Sequence, residues 1–307
     1  MNKGFQVGWW IAIVTVASIN LIALALLYVT PGLNEYVYSL VGEAAILIPI
    51  SLGCFYATKS GVTNRETLAL RKFSPLLLPG ALLLTATAQY FITTITLPIQ
   101  TILIIMFGAD TATSQMMIPG TVGEFILAFF TLCIVAPVLE ELLLRGVIVK
   151  LFERYGFLVC LISSSLIFAL LHFELRSFIP IFFIGLLFGL FRLGTGSVFL
   201  TIILHSVNNF LSLCQLTFSN DINNAVSIGL IILATILFPV LFWLTFIKGK
   251  RFFKFSSPLL ESKKTGISVA AILSIVCFLG YNFLLFLQRL INGECLNDFL
   301  MLLGLGH

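Results

Sequence analysis

Two adjacent glutamates, Glu140 and Glu141, lie within an apolar stretch of the sequence. Two later apolar stretches each contain one histidine, His172 and His205. An ionisable side chain at membrane depth costs roughly 2.5–3.5 kcal/mol on insertion scales, so such a residue is a functional candidate by default. Carboxylates and imidazoles are the groups that move protons in hydrolysis. Their types and placement therefore predict acid–base chemistry inside a membrane.

The two glutamates are predicted to have different roles, because neighbours on a helix point about 100° apart. Glu141 and Arg145 have the i, i+4 spacing of a helical ion pair, which would keep Glu141 ionised and structural. Glu140 has no basic residue three or four positions away, so it is the better candidate for a general base. The alternative for Glu141 and Arg145 is a buried pair that merely joins two helices.

The two in-span histidines have neighbours that fit a catalytic site. Taken singly, each histidine would be read as a hydrogen-bonded interior residue, but their occurrence with a glutamate pair favours catalysis. His205 and Asn209 share a helix face, where imidazole and carboxamide N–H groups would hold a developing oxyanion. Phe168 and His172 also share a face, so the phenyl ring is expected to position the imidazole.

The composition is that of an integral membrane protein. Hydrophobic residues make up 59% of 307 positions and charged residues only 10%, far below the usual quarter. The net charge of +4 is expected to come from basic loops at a lipid bilayer, and no nucleic-acid partner is predicted. Of the six cysteines, five lie within apolar runs, so neither a disulfide framework nor a zinc knuckle is expected.

The elements that must position these residues are transmembrane helices. The predicted fold is all-α, a polytopic bundle of about eight to nine spans in one membrane domain, 1–307, with a motif-bearing core at about 120–217. The third and fourth spans exceed one perpendicular crossing and must tilt, protrude or break, with Pro79 and Pro98 as candidate break points. The first apolar run is expected to be a retained span and not a signal peptide. The predicted spans are 7–30, 36–57, 76–106, 122–152, 156–173, 178–193, 197–217, 224–247 and 266–291.

Loop charges predict the orientation of the bundle. If nine spans alternate, the loops rich in Lys and Arg share one side with Lys3, which puts the N-terminus in the cytoplasm and the C-terminus outside. In this topology His172 lies near the outer end of its span, whereas Glu140 lies nearer the middle of its own. The opposite loops carry Arg176 and five acidic residues: Glu35, Asp110, Asp221, Glu294 and Asp298.

Other in-span residues are interpreted as packing or hydrogen-bonding groups. Gly185 and Gly189 form a small-x-x-x-small face that lets two helices approach closely. Four polar residues in or near spans are interpreted as interhelical hydrogen-bonding groups: Asn20, Glu43, Gln89 and Gln100.

Three motifs carry a resemblance to a known family. They are E140-E-L-L-L-R145, F168-A-L-L-H172 and H205-S-V-N-N209, in that order, with G185-x-x-x-G189 and T195-G-S197 between them. They resemble the E-E-x-x-x-R, F-x-x-x-H and H-x-x-x-N/D motifs of the CAAX protease and bacteriocin-processing family, also called Abi. The resemblance covers about residues 120–217.

The resemblance implies a glutamate-type intramembrane endopeptidase with a water-filled catalytic cavity inside the membrane. Glu140 and His172 would activate water, His205 and Asn209 would stabilise the oxyanion, and Glu141, Arg145 and Phe168 would support the site. No cofactor is expected. Zinc is the less favoured alternative, because two carboxylates and two histidines also suit that ion, although the spacing is not H-E-x-x-H.

The predicted substrate is a membrane-associated or lipidated peptide or protein, and its identity stays open among prenylated peptides, pheromone precursors and bacteriocin leaders. The alternative function is a non-catalytic scaffold, an immunity protein or a regulator of a membrane sensor kinase, with a kinase or transporter as partner. Intact motifs favour the enzyme. A transporter would require matching halves, and no such internal symmetry is visible. The predicted location is the cell membrane.

Overall fold

The computed structural model describes residues 3–30, 32–107, 118–172, 175–218 and 224–254, with residues 272, 275, 276, 279 and 280. Within these residues the regular structure is helical and contains no strand, as the all-α prediction required. The helices are α1 (Lys3–Val29), α2 (Glu35–Ala44), α3 (Leu47–Lys59), α4 (Asn64–Thr67), α5 (Leu78–Phe107), α6 (Val122–Ala128), α7 (Ala136–Glu141), α8 (Val149–Phe152), α9 (Phe157–Leu171), α10 (Leu175–Thr195), α11 (Val198–Phe218) and α12 (Asn224–Phe242).

Seven described helical stretches are long and apolar enough to cross a membrane, which confirms the polytopic bundle. They correspond to predicted spans one to four and six to eight. The fifth predicted span, 156–173, is the 15-residue helix α9, too short for a hydrocarbon core of about 30 Å at a rise of 1.5 Å per residue. The ninth, 266–291, lies outside the described residues apart from five isolated positions.

One end of the bundle collects the basic segments, as the charge asymmetry predicted. The backbone N–H of Val198 donates to the Ala69 carbonyl at 3.1 Å, and that of Lys254 donates to Gly194 at 2.6 Å. At the same end the N–H of Phe5 donates to the Tyr155 hydroxyl at 3.1 Å. Helix α9 therefore starts at this basic end and runs towards the other. Of the predicted opposite-end acids, Asp110, Asp221, Glu294 and Asp298 lie outside the described residues.

The third and fourth spans, which are the two long ones, differ in how their helices are wound. Helix α5 is continuous over 30 residues and runs through Pro98, while Pro79 lies in its first turn, where the missing N–H has no partner to lose. The expected break points are therefore wrong. The fourth span, Val122–Tyr155, instead changes its winding along its length. Its α-helical stretches α6, α7 and α8 alternate with π-helical segments at Phe129–Val135 and Leu142–Ile148.

Helices α9 and α10 form the closest helix pair near the motifs, and two glycines explain why. A Cβ on Gly185 would lie 3.1 Å from the Phe168 ring and 3.2 Å from Ser165 Cβ. A Cβ on Gly189 would lie 2.7 Å from a Leu161 methyl group. The packing interpretation of this small-residue face agrees with these distances, and the close approach fixes Phe168 against α10.

Only one of the four in-span polar residues makes the interhelical hydrogen bond predicted for it in the described structure. Gln89 Nε2 donates to Ser212 Oγ at 2.9 Å and joins α5 to α11. Gln100 and Asn20 instead bond within their own helices, to Thr96 and to the Val16 carbonyl. Glu43 Oε2 is buried with no hydrogen-bond partner. For these three residues the interpretation was wrong. Gln100 and Asn20 have partners within their own helices, and Glu43 Oε2 has none.

Candidate active site

A cavity of about 750 Å³ lies between the spans, and both polar and apolar side chains form its walls. Its described walls come from α1, α2, α5, the fourth span, α9, α10 and α11. Three of the four predicted catalytic residues line it, Glu140, His172 and Asn209, as does the supporting residue Phe168. The fourth, His205, is only 4% exposed and lies behind Glu140. The structure thus brings the four residues together, with three at the cavity and one beneath it.

The short length of α9 brings His172 to the depth of Glu140. Glu140 precedes Tyr155 by 15 residues in the fourth span, and His172 follows Phe157 by 15 residues in the antiparallel α9. Both residues therefore lie about 22 Å from the basic end, at 1.5 Å per residue. The sequence predicted different membrane depths for Glu140 and His172 because α9 was treated as a full-length span. Because α9 stops early, its last residues reach the middle of the fourth span.

A chain of charged and polar groups runs beneath the cavity floor. Arg145 Nη1 lies 3.2 Å from Glu141 Oε1, and both side chains are fully buried. The same carboxylate oxygen lies 3.0 Å from His205 Nδ1. On the other side of the ring, Nε2 lies 3.7 Å from Glu140 Oε2. Both ring nitrogens thus face carboxylates, so the imidazole is placed to donate from Nδ1 to Glu141 and to exchange a proton with Glu140.

Arg145 is held by more than its ion pair. Its Nη2 donates to the Gly185 carbonyl at 3.0 Å, and its guanidinium lies 4.8 Å from the centre of the Phe168 ring. A carbonyl and an aromatic face are the partners that a desolvated guanidinium requires. The ion pair therefore belongs to a fixed assembly that joins the fourth span to α9 and α10.

Phe168 contacts both imidazoles edge-on, at centroid distances of 4.9 Å to His172 and 5.5 Å to His205. The predicted positioning of His172 by this ring thus extends to the second histidine. His172 Nδ1 lies 2.9 Å from the Phe168 carbonyl oxygen, which can only accept. The proton therefore resides on Nδ1, and Nε2 of the neutral ring is left as an acceptor. This exposed ring has the tautomer that a base requires.

The amide of Asn209 is oriented by a backbone carbonyl that the local winding leaves free. Its Nδ2 donates to the Leu132 carbonyl at 2.9 Å. In π-helical winding the donor for that carbonyl would be the N–H of residue 137, but residue 137 is a proline and has no N–H. One Asn209 N–H thus completes the bonding of the fourth span. The second N–H of this amide is available at the cavity wall.

A zinc ion would need several ligating side chains close together. In the part of the chain that the structure describes, no group of three His, Cys, Asp or Glu side chains is arranged to hold a metal ion. Glu140, Glu141 and His205 cluster, but the Glu141 oxygen is already paired with Arg145 and with the imidazole. As they stand, these described side chains do not form a tetrahedral ligand set.

Sequence reasoning missed two features of this site. The first is the Leu132 carbonyl, which only the π-helical winding at Pro137 could have indicated. The second is Glu43, which lines the same cavity as Glu140 but was interpreted as a hydrogen-bonding group. Its signal was available, because a carboxylate without a spaced basic partner in a span is itself a functional candidate.

Comparison with known proteins identifies the family that this region resembles. Residues 122–211 match the family model described as Type II CAAX prenyl endopeptidase Rce1-like, in agreement with the resemblance inferred from the motifs. The matched stretch contains the fourth span, α9, α10 and the part of α11 that carries His205 and Asn209. No curated protein and no solved structure shows a significant match to the chain.

Proposed function

Because residues 122–211 match the Rce1-like type II CAAX prenyl endopeptidases, we propose that this chain is a glutamate-type intramembrane endopeptidase. The family match supports a CAAX-type endopeptidase in a multi-pass membrane protein. The glutamate mechanism rests on one observation. Glu140, His172 and Asn209 line the same cavity, and His205 lies directly beneath Glu140. The substrate is a membrane-associated or lipidated peptide or protein, held with its scissile bond in this cavity.

The proposed reaction starts with water between Glu140 and His172. The carboxylate takes one proton from this water, and the free Nε2 of His172 accepts a hydrogen bond from it, as the oxygen attacks the peptide carbonyl. Negative charge then develops on the carbonyl oxygen, and the second N–H of Asn209 stabilises it. His205, whose Nε2 lies 3.7 Å from Glu140 Oε2, is the second proposed donor to this oxygen. Collapse of this intermediate breaks the C–N bond and requires a proton for the leaving amine.

The supporting residues keep these groups in place. Glu141 fixes the orientation of His205 through Nδ1, Arg145 fixes Glu141, and Phe168 packs against both histidines. Together they hold the two imidazoles in place, which favours reaction in a preformed site. Glu141 and Arg145 act on the reaction through His205 and Phe168 acts through both histidines, so they are positioning residues.

We further propose that the protein functions in the cell membrane with its basic end, including the N-terminus, in the cytoplasm. The chain acts as one membrane domain, with the lipid bilayer as its constant partner. No cofactor takes part. A sensor kinase or a transporter would be a partner only if the chain worked as a scaffold or regulator.

The direct test is cleavage by purified protein in lipid nanodiscs. A fluorogenic peptide ending in a farnesylated Cys-aliphatic-aliphatic-X sequence is the first probe, and mass spectrometry locates the cut. Glu140→Gln should lower the rate by roughly 10²–10⁴-fold, because it removes the base and keeps the size. Asn209→Ala should lower it by roughly 10²–10³-fold.

Glu153→Gln is the matched control, since Glu153 lies in the same span but at the basic end, paired with Lys150. It should cleave like the wild type. If Glu140→Gln cleaves at the wild-type rate, or preserves every cellular phenotype of the intact chain, then the chain acts as a scaffold or regulator and the enzymatic proposal is wrong.

A further inference from the structure

The second membrane span, Glu35–Lys59, changes its winding at mid-depth, next to a carboxylate. Helix α2 ends at Ala44 and α3 begins at Leu47. Pro49 has no N–H to donate to the Ala45 carbonyl, which instead accepts from the N–H of Ile48 at 3.0 Å. The hydroxyl of Ser18 on α1 approaches the same carbonyl at 3.5 Å.

One face of α2 lies along the cavity. Glu35, Ser39 and Glu43 follow each other at intervals of four residues, and all three line the cavity. Glu35 is exposed at the outer end of the helix, whereas Glu43 lies one residue before the helix ends. The α2 face therefore leads from the mouth of the cavity to the carboxyl group of Glu43.

Glu43 and Glu140 are two carboxyl groups in one cavity. Their side chains interact electrostatically, and Oε2 of each is buried without a hydrogen-bond partner in the described structure. None of the described residues lining the cavity is Lys or Arg. Two like charges in a shared low-dielectric site disfavour double ionisation, so such pairs hold one proton between them.

The two carboxyls have unequal partners, which decides where that proton resides. Glu140 faces Nε2 of His205, and His205 is fixed by the ion-paired Glu141. Among the described residues, the only charged group found to interact with Glu43 is Glu140. Glu140 thus lies beside an imidazole with which it can exchange a proton, and no such neighbour of Glu43 is found among the described residues. The proton is left on Glu43, where a neutral carboxyl costs less in an apolar wall.

We infer that Glu43 is the proton donor of the hydrolysis and forms an acid–base pair with Glu140. This inference rests on the proposed function. Water loses one proton to Glu140 and forms the new C–O bond, the C–N bond then breaks, and the Glu43 carboxyl protonates the leaving amine. Passage of the proton from Glu140 to Glu43 through cavity water restores both groups. The net reaction is peptide plus water giving acid plus amine.

The protonation of Glu43 can be measured without any substrate. Infrared spectra of the protein in nanodiscs should show the carbonyl stretch of a protonated carboxylic acid, and Glu43→Gln should remove that band. Glu35→Gln, a change of an exposed carboxylate on the same helix, should leave it in place. If the wild type lacks the band, or if Glu43→Gln does not change it, Glu43 does not hold the proton and the inference is overturned.

A pair of substrates tests the donor role. With the farnesylated peptide amide, Glu43→Gln should lower single-turnover cleavage by roughly 10²–10⁴-fold, the usual contribution of a general acid. With the p-nitrophenyl ester of N-acetyl-S-farnesylcysteine, whose leaving group needs no proton, the rate should stay near that of the wild type. An equal loss on both substrates, or no loss on the amide, would contradict the donor role.

The proposed function and this inference fail separately. Glu140→Gln should abolish cleavage of both substrates, because it removes the base that water attack requires. If Glu140→Gln is fully active, the proposed hydrolysis is wrong, and the infrared band still reports whether Glu43 carries a proton. If Glu140→Gln is inactive while Glu43→Gln cleaves the amide normally, only the donor role is wrong.

Discussion

At the residue scale, the buried carboxylate of Glu141 has two partners on one oxygen, Arg145 at 3.2 Å and His205 at 3.0 Å. Glu141→Gln would leave the guanidinium buried without an anion. Removing one member of a buried pair costs about 3–5 kcal/mol, so this variant should melt at a markedly lower temperature in detergent. The measurement is thermal unfolding followed by tryptophan fluorescence.

Glu153→Gln provides the comparison within the same span. Glu153 is paired with Lys150 at 2.7 Å, but both side chains are about 30% exposed, at 31% and 28%. Exposed pairs contribute about 0–1 kcal/mol, so its melting temperature should change little. Equal effects of the two substitutions would show that the Glu141 pair is no more important than a surface contact.

Metal removal distinguishes the proposed glutamate mechanism from a zinc-dependent mechanism, which the same residue types would also allow. We expect protein treated with a strong chelator to retain its peptidase activity, because the proposed mechanism uses only protein groups and water. Elemental analysis should find far less than one zinc per chain. Stoichiometric zinc, together with activity that returns only when zinc is restored, would instead support the metallopeptidase alternative.

At the element scale, the contact between α9 and α10 controls the position of Phe168. Gly185→Ala places a Cβ 3.1–3.3 Å from Phe168 and Ser165, and overpacking of this kind costs typically 1–3 kcal/mol. Because Phe168 packs on both histidines, the substitution should lower kcat as well as the melting temperature. Gly229→Ala in α12 is the control, since a Cβ there meets nothing within 4 Å, and it should be neutral or slightly stabilising.

The sequence predicts contacts between residues close together on one helix better than contacts between different helices. The Glu141–Arg145 pair and the Phe168–His172 contact follow from helical periodicity, and both are present. The Asn209–Leu132 bond does not, because it depends on π-helical winding that no local pattern specifies. The depth of His172 was also missed, since apolar composition alone does not show that α9 stops at 15 residues.

At the scale of the whole molecule, the basic segments collect at one end, with residues such as Lys59, Arg71, Lys150 and Lys250. The positive-inside rule places this end in the cytoplasm. In a background whose six cysteines are replaced, Ser60→Cys at the basic end should react with a membrane-impermeant maleimide only after cells are permeabilised. Gly120→Cys, at the start of the fourth span, should react in intact cells.

The reverse labelling pattern would show that the same fold has the opposite orientation in the membrane. The mouth of the cavity would then lie on the cytoplasmic side, because Glu35 and the start of α10 lie at the end opposite the basic segments. Equal labelling at both positions would contradict a single orientation.

The short helix α9 has a consequence for the lipid around it. With 15 residues it extends about 22 Å, against a hydrocarbon core of about 30 Å. Leu158 and Ile162 on its outer face are exposed, so lipid tails meet a wall that ends well before the opposite headgroups. A bilayer accommodates such a mismatch by thinning. Such thinning would bring the headgroups and water of one leaflet towards His172, and the membrane itself would then form part of the path by which a polar peptide segment reaches the cavity.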